Sequence, residues 1–169
     1  MRRGGRIIPR NTRAAPQHVQ NMRVTRRELL ACLLASGGLH AKDPVAAVNT
    51  SRGGLAVKGH DPVAYFTQAR PIQGAPAFSA THNGATWLFA TAANRDAFLA
   101  EPGRFTPQFG GYCAWAVGHG YTADSDPQAW HIDNGKLYLN YNRSVQTMWL
   151  KDKARWIAEG DRNWPALHK

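Results

Sequence analysis

Thiols are scarce in this 169-residue chain, which has two cysteines, Cys32 and Cys113. Cys32 falls in a segment that reads as a removable leader, so the mature protein keeps one thiol and forms no internal disulfide. One thiol also excludes, within a single chain, a zinc site of four cysteines or of two cysteines and two histidines. Acidic residues are the second shortage, with 11 Asp and Glu against 21 Lys and Arg and a formal charge of +10. An excess of that size ordinarily points to nucleic acid or an anionic membrane, because clustered bases gain by releasing counterions. Position removes that implication. Residues 1–42 hold nine of the bases against Glu28 alone and so carry +8 of the +10. The remainder offers no basic stripe, and nucleic acid is not an expected partner. Long apolar runs are missing too. Leu29 to Ala35 falls well short of the ~20 residues that a membrane-spanning helix needs, so no stable span is expected.

What the leader does contain is directional. Thr25-Arg26-Arg27-Glu28-Leu29-Leu30 sets two adjacent arginines before the apolar run, and Gly37-Gly38 follow. This order is similar to a twin-arginine export signal and predicts a periplasmic protein. Small residues place a cleavage site after Ala41, or further on near Ala46 or Ala47. Three segments follow: an aperiodic, Arg-rich stretch over 1–21 that reads as disordered or as preceding the true start at Met22, the twin-arginine signal over 22–42, and one domain over 43–169. An apolar fraction of 43% is enough to give that domain a core.

The domain reads as α+β, built on two β-hairpins and short helices. Leu55 to Val57 is a short strand, and Asp61-Pro62 is a cap followed by a proline, which starts a helical turn. Phe78 to His82 and Ala85 to Ala90 flank Asn83-Gly84, and Trp130 to Asp133 and Lys136 to Tyr141 flank Asn134-Gly135. Both Asn-Gly pairs suit two-residue type I′ turns. Thr91 caps a helix over Ala92 to Ala100 with Ala93, Ala97 and Phe98 on one face, ended by Pro102-Gly103. Gly110 to Val117 is apolar and bounded by glycines, which predicts a buried strand or extended segment. Asp126-Pro127 repeats the cap-and-proline device and predicts a helical turn through Ala129. Ser144 is placed to cap a final helix, packed on the sheet through Val145, Met148, Trp149, Trp156 and Ile157, with Asn163-Trp164-Pro165 closing the domain.

Six ordered blocks carry a resemblance: Gly59 to Phe66, Phe78 to Ala80 with Asn83 to Phe89, Ala97-Phe98 with Glu101-Pro102 and Phe105, Gly110 to Ala114, Gly135 to Tyr141, and Asn163 to Pro165. Together they resemble the exported YHS-domain proteins of bacteria, over essentially all of residues 55–165. The resemblance implies a small α+β domain related to the YHS and TRASH modules that accompany metal-handling proteins. It also exposes departures. Metal-associated modules carry cysteines where this chain has Ala64 and Ala90, with Asn94 about one helical turn on, and His60 stands where a tyrosine is usual.

A metal site would therefore have to be assembled around Cys113. Thiolate and imidazole together suit copper or zinc, and His119 and His60 complete the expected ligand set, with His82 and His131 elsewhere in the domain. The competing reading makes Cys113 a small core residue. No nucleophile motif surrounds it, so the expected function is non-catalytic: transition-metal binding, copper first, or else a structural or small-ligand module without metal. The aromatic set that includes Tyr65, Trp87, Trp115, Trp149 and Trp164 reads mainly as core, with an apolar ligand pocket as the alternative.

Overall fold

Two Asn-Gly pairs organise the domain, because each supplies the two consecutive left-handed residues that a tight hairpin turn requires. In the computed structural model, which describes residues 44–168, Asn83 and Gly84 have φ of 49° and 73°, and Asn134 and Gly135 have 47° and 72°. The first pair joins β3 (Ala75–His82) to β4 (Ala85–Phe89), and the second joins β5 (Asp126–Asp133) to β6 (Lys136–Asn140). Both expected hairpins are present, and each carries a register shift, between Ala75 and Ser79 in β3 and between Asp126 and Trp130 in β5. Two short strands, β1 (Thr50–Ser51) and β2 (Leu55–Ala56), extend the first hairpin into a four-stranded sheet of order β1-β2-β4-β3. In that sheet β2 runs parallel to β4. The second hairpin is a two-stranded sheet of its own. The segments 1–21 and 22–42 of the sequence reading lie outside the described residues.

The helices are α1 (Ala64–Thr67), α2 (Ala92–Ala100), α3 (Pro102–Phe105), α4 (Ala114–Gly118), α5 (Arg143–Leu150) and α6 (Lys153–Leu167). Helix α2 begins as expected, with the Thr91 side chain accepting the Asn94 N–H at 3.1 Å. Its inward face is narrower than expected, since Ala93 is exposed while Phe98 is fully buried.

Two cores share one strand. Successive residues of β6 point to opposite faces, so Leu137 and Leu139 enter a core with Tyr65, Trp87, Phe89 and Phe98. Tyr138 enters a second core with Phe109, Ala114, Val117 and Trp149. Trp156, Ile157, Trp164 and Leu167 of α6 pack against that second core, which is how the C-terminal helix comes to lie on the sheet.

Three expectations are corrected. Gly110 to Val117 is not a strand. Phe109, Gly110 and Gly111 are left-handed in succession, at φ of 54°, 60° and 81°, which breaks an extended chain. Cys113 then makes a single bridge to Leu139 before α4 starts. A run buried on every side has no period to distinguish strand from helix. Asp126-Pro127 starts β5 instead of a helical turn. Asp126 still accepts the Gln128 N–H at 2.9 Å, but Pro127 sits at the register shift, where its missing N–H breaks no ladder bond. The final helix is two helices. Asn142, not Ser144, caps α5 by accepting the Val145 N–H at 2.9 Å, Asp152 breaks the path, and Asn163-Trp164-Pro165 lies inside α6.

Candidate functional site

Asp61 is fully buried and holds together the three positions singled out by the departures from YHS modules. Its Oδ1 accepts the N–H of Val63 at 2.8 Å and of Ala64 at 3.3 Å. Its Oδ2 accepts the N–H of Ala90 at 2.8 Å and the Asn94 amide at 2.6 Å. Ala64, Ala90 and Asn94 thus meet in space, around a carboxylate that four donors satisfy. Each carboxylate oxygen takes two of those donors, so the carboxylate serves to join backbone segments. Nearby, the Tyr65 hydroxyl donates to the Pro127 carbonyl at 3.0 Å, and burial, with Asp126 and Asp61 adding to it, pushes the phenol far up, so it stays a neutral donor.

Cys113 is 1% exposed. Its backbone N–H goes to the Ala123 carbonyl at 2.9 Å. Its Sγ accepts the Tyr141 N–H at 3.2 Å and lies 3.9 Å from Asn140 Oδ1, which itself accepts the Trp115 N–H at 3.2 Å. Burial pushes the thiol up, against opposing hydrogen bonds from the Ala116, Tyr141 and Trp115 backbone. A thiol kept protonated in this way is a poor nucleophile and a poor ligand. It ties the start of α4 to the end of β6.

The structure does not bring Cys113, His119 and His60 together. Six residues along a helical path place His119 about 120° round the axis from Cys113, on the outer side. The exposed His119 ring stacks on Trp156 at 4.3 Å and lies 4.4 Å from Trp115, with Nδ1 held 2.8 Å from the Trp115 carbonyl. His60 stays at its turn, with Nδ1 3.2 Å from the Val57 carbonyl. His131 lies 3.3 Å from the Lys153 ammonium, which also pairs with Asp133. Among the described residues, no three of His, Cys, Asp and Glu converge as a metal site. Each of the three expected ligands has a partner of its own, Cys113 the Tyr141 N–H, His119 the Trp115 carbonyl and His60 the Val57 carbonyl.

A different feature has the dimensions of a ligand site. An open cleft of about 360 Å³ lies between the turn 106–110, the last turns of α6, the tip of the first hairpin and Ala47-Val48. Its shape follows from local constraints. Gly110 is left-handed and so close to the N-terminal segment that a Cβ there would lie 2.0 Å from the Ala47 carbonyl oxygen. Gly160 lets the Phe109 ring lie against α6, where a Cβ would come within 2.5 Å of it. The Trp164 and His168 rings stack at 4.1 Å and 10°, and Phe109 lies 6.1 Å from Trp164, forming an aromatic wall. Asp161, His82, Asn83 and Gln108 add polar groups. The sequence offers Trp164 as one of an aromatic set that could line a pocket, but it does not group these residues, since they come from separate stretches of chain. Only the glycines at 110 and 111 and the Trp164 motif hinted that this region is specialised.

Comparison of the chain with models of protein families, with curated proteins and with solved structures finds no match.

Proposed function

We propose that this chain is an exported, non-catalytic binding protein of the YHS type that holds a small ligand in the cleft of Phe109, Asp161, Trp164 and His168. The cleft itself carries the proposal. Its volume is in the range of small-molecule sites, and it combines an aromatic wall with a few polar groups, the usual division between affinity and orientation. The burial of Cys113, and its distribution of hydrogen bonds among backbone partners, favour ligand binding at the cleft over metal capture at the thiol. The resemblance supports the family, and Arg26-Arg27 before a short apolar run supports export to the periplasm.

Nuclear magnetic resonance of the ¹⁵N-labelled protein, titrated with mixtures of small polar metabolites, tests the cleft. Binding should shift the Gly110 amide and the Trp164 indole N–H together. A library that shifts neither, or that moves only signals far from α6, would sink the proposal.

A further inference from the structure

We infer that the ligand held in this cleft is a small organic cation, a protonated amine or quaternary ammonium; the inference rests on the cleft being the binding site. Among the described lining residues Asp161 carries the one formal charge, and no lysine or arginine joins it. Two bases next to lining residues in sequence, Arg162 and Arg104, are engaged elsewhere. Arg162 pairs with Glu159 at 2.7 Å, and Arg104 lies 3.9 Å from Glu101 with its guanidinium 5.2 Å from the Phe105 ring. Among the described residues no base of the lining offsets that carboxylate, which repels an anion and attracts a cation.

The remaining chemistry points the same way. A carbonyl can only accept, so the 2.7 Å contact between His168 Nδ1 and the Trp164 carbonyl puts the imidazole proton on Nδ1. With the proton there, Nε2 is the ring nitrogen left to accept in that tautomer. Asn83 and Gln108 line the same cleft, and the oxygen of each amide can accept from an ammonium N–H. The Trp164 indole supplies the ring type that attracts a cation most strongly through its quadrupole. A carboxylate beside an indole, with acceptors around them, selects positive charge on an organic frame.

Three probes of one shape and different charge separate the outcomes: benzylammonium, benzyl alcohol and benzoate, each titrated into the full chain by calorimetry and followed at the Trp164 indole and Gly110 signals. Benzylammonium should bind at least about 10-fold more tightly than benzyl alcohol, weaken as salt is added, and lose about 10-fold in Asp161→Asn; benzoate should not bind. Asp161 is exposed, so this variant keeps the fold, which its melting temperature checks. Trp164→Leu should weaken benzylammonium more than benzyl alcohol. Equal binding of the alcohol or the benzoate at the same two signals, or an unchanged affinity in Asp161→Asn, overturns the charge assignment and leaves the cleft as the site. Failure of all three probes to move those signals overturns the organic-cation assignment, and the metabolite library then decides the cleft separately.

Discussion

Replacing Asp61 should be among the most damaging single changes in the domain. Its carboxylate accepts four hydrogen bonds that join the turn 61–64, the end of the first hairpin and the start of α2. Asp61→Ala strands three backbone N–H groups and the Asn94 amide in a site that is fully buried at Asp61. Hydrogen bonds to a charged acceptor contribute about 1.5–3 kcal/mol each, and an orphaned buried donor costs about 1–3 kcal/mol. The Ala64 bond is long, and relaxation lets some water in, so the net loss should be about 3–5 kcal/mol, a large part of the 5–15 kcal/mol typical of a domain. Asp61→Asn is the sharper probe. It keeps one acceptor oxygen but sets an NH₂ against donors on one side, and should cost about 2–4 kcal/mol. Pairing it with Asn94→Asp turns that clash back into a hydrogen bond, so the double variant should recover at least about 1 kcal/mol relative to the sum of the singles. Urea unfolding followed by tryptophan fluorescence measures the four variants and the unsubstituted protein, with the slope expected to stay constant. A loss below about 1 kcal/mol in Asp61→Ala, or strict additivity in the double variant, would refute the assignment of Asp61 as the junction of these three elements.

Other outcomes follow from single features. Cys113 should react with a thiol reagent in the folded protein only as fast as the domain opens and at full speed in urea, and prompt reaction in the native state would contradict its burial and raised pKa. Gly160→Ala drives a methyl into the Phe109 ring and should cost about 1–3 kcal/mol by urea titration while narrowing the cleft. Burial, with Lys153 next and Asp133 opposing, holds His131 below its ordinary pKa of about 6.5. The unfolded chain therefore takes up that proton first as pH falls. The contribution of the neutral ring is complete above about pH 6.5 and declines through the window below it, so His131→Gln should flatten the fall in melting temperature between about pH 7 and 5. Replacing Arg26 and Arg27 together by lysine should hold the full chain in the cytoplasm, as cell fractionation would show; continued export would remove the twin-arginine route.

Local chemistry was readable wherever backbone conformation depends on one or two residues. Asn83-Gly84 and Asn134-Gly135 are tight turns because they tolerate left-handed φ, and Thr91 caps α2 because its hydroxyl reaches the Asn94 N–H. The two hairpins and the α+β class follow from such signals alone. Tertiary structure decided the rest. The same cap-and-proline pair starts a helical turn at Asp61 and a strand at Asp126, because the second is paired to Asn140 on β6. Residues 114–118 are helical although their apolar run has no period, since α4 is packed between β6 and α6. The lone thiol was conspicuous in the sequence, but its burial and its hydrogen bond from the Tyr141 N–H were not. Asp161, His168, His82 and Phe109 are separated along the chain, and spacing carries no information about side chains that only α6, a left-handed turn and a hairpin tip bring to one cleft.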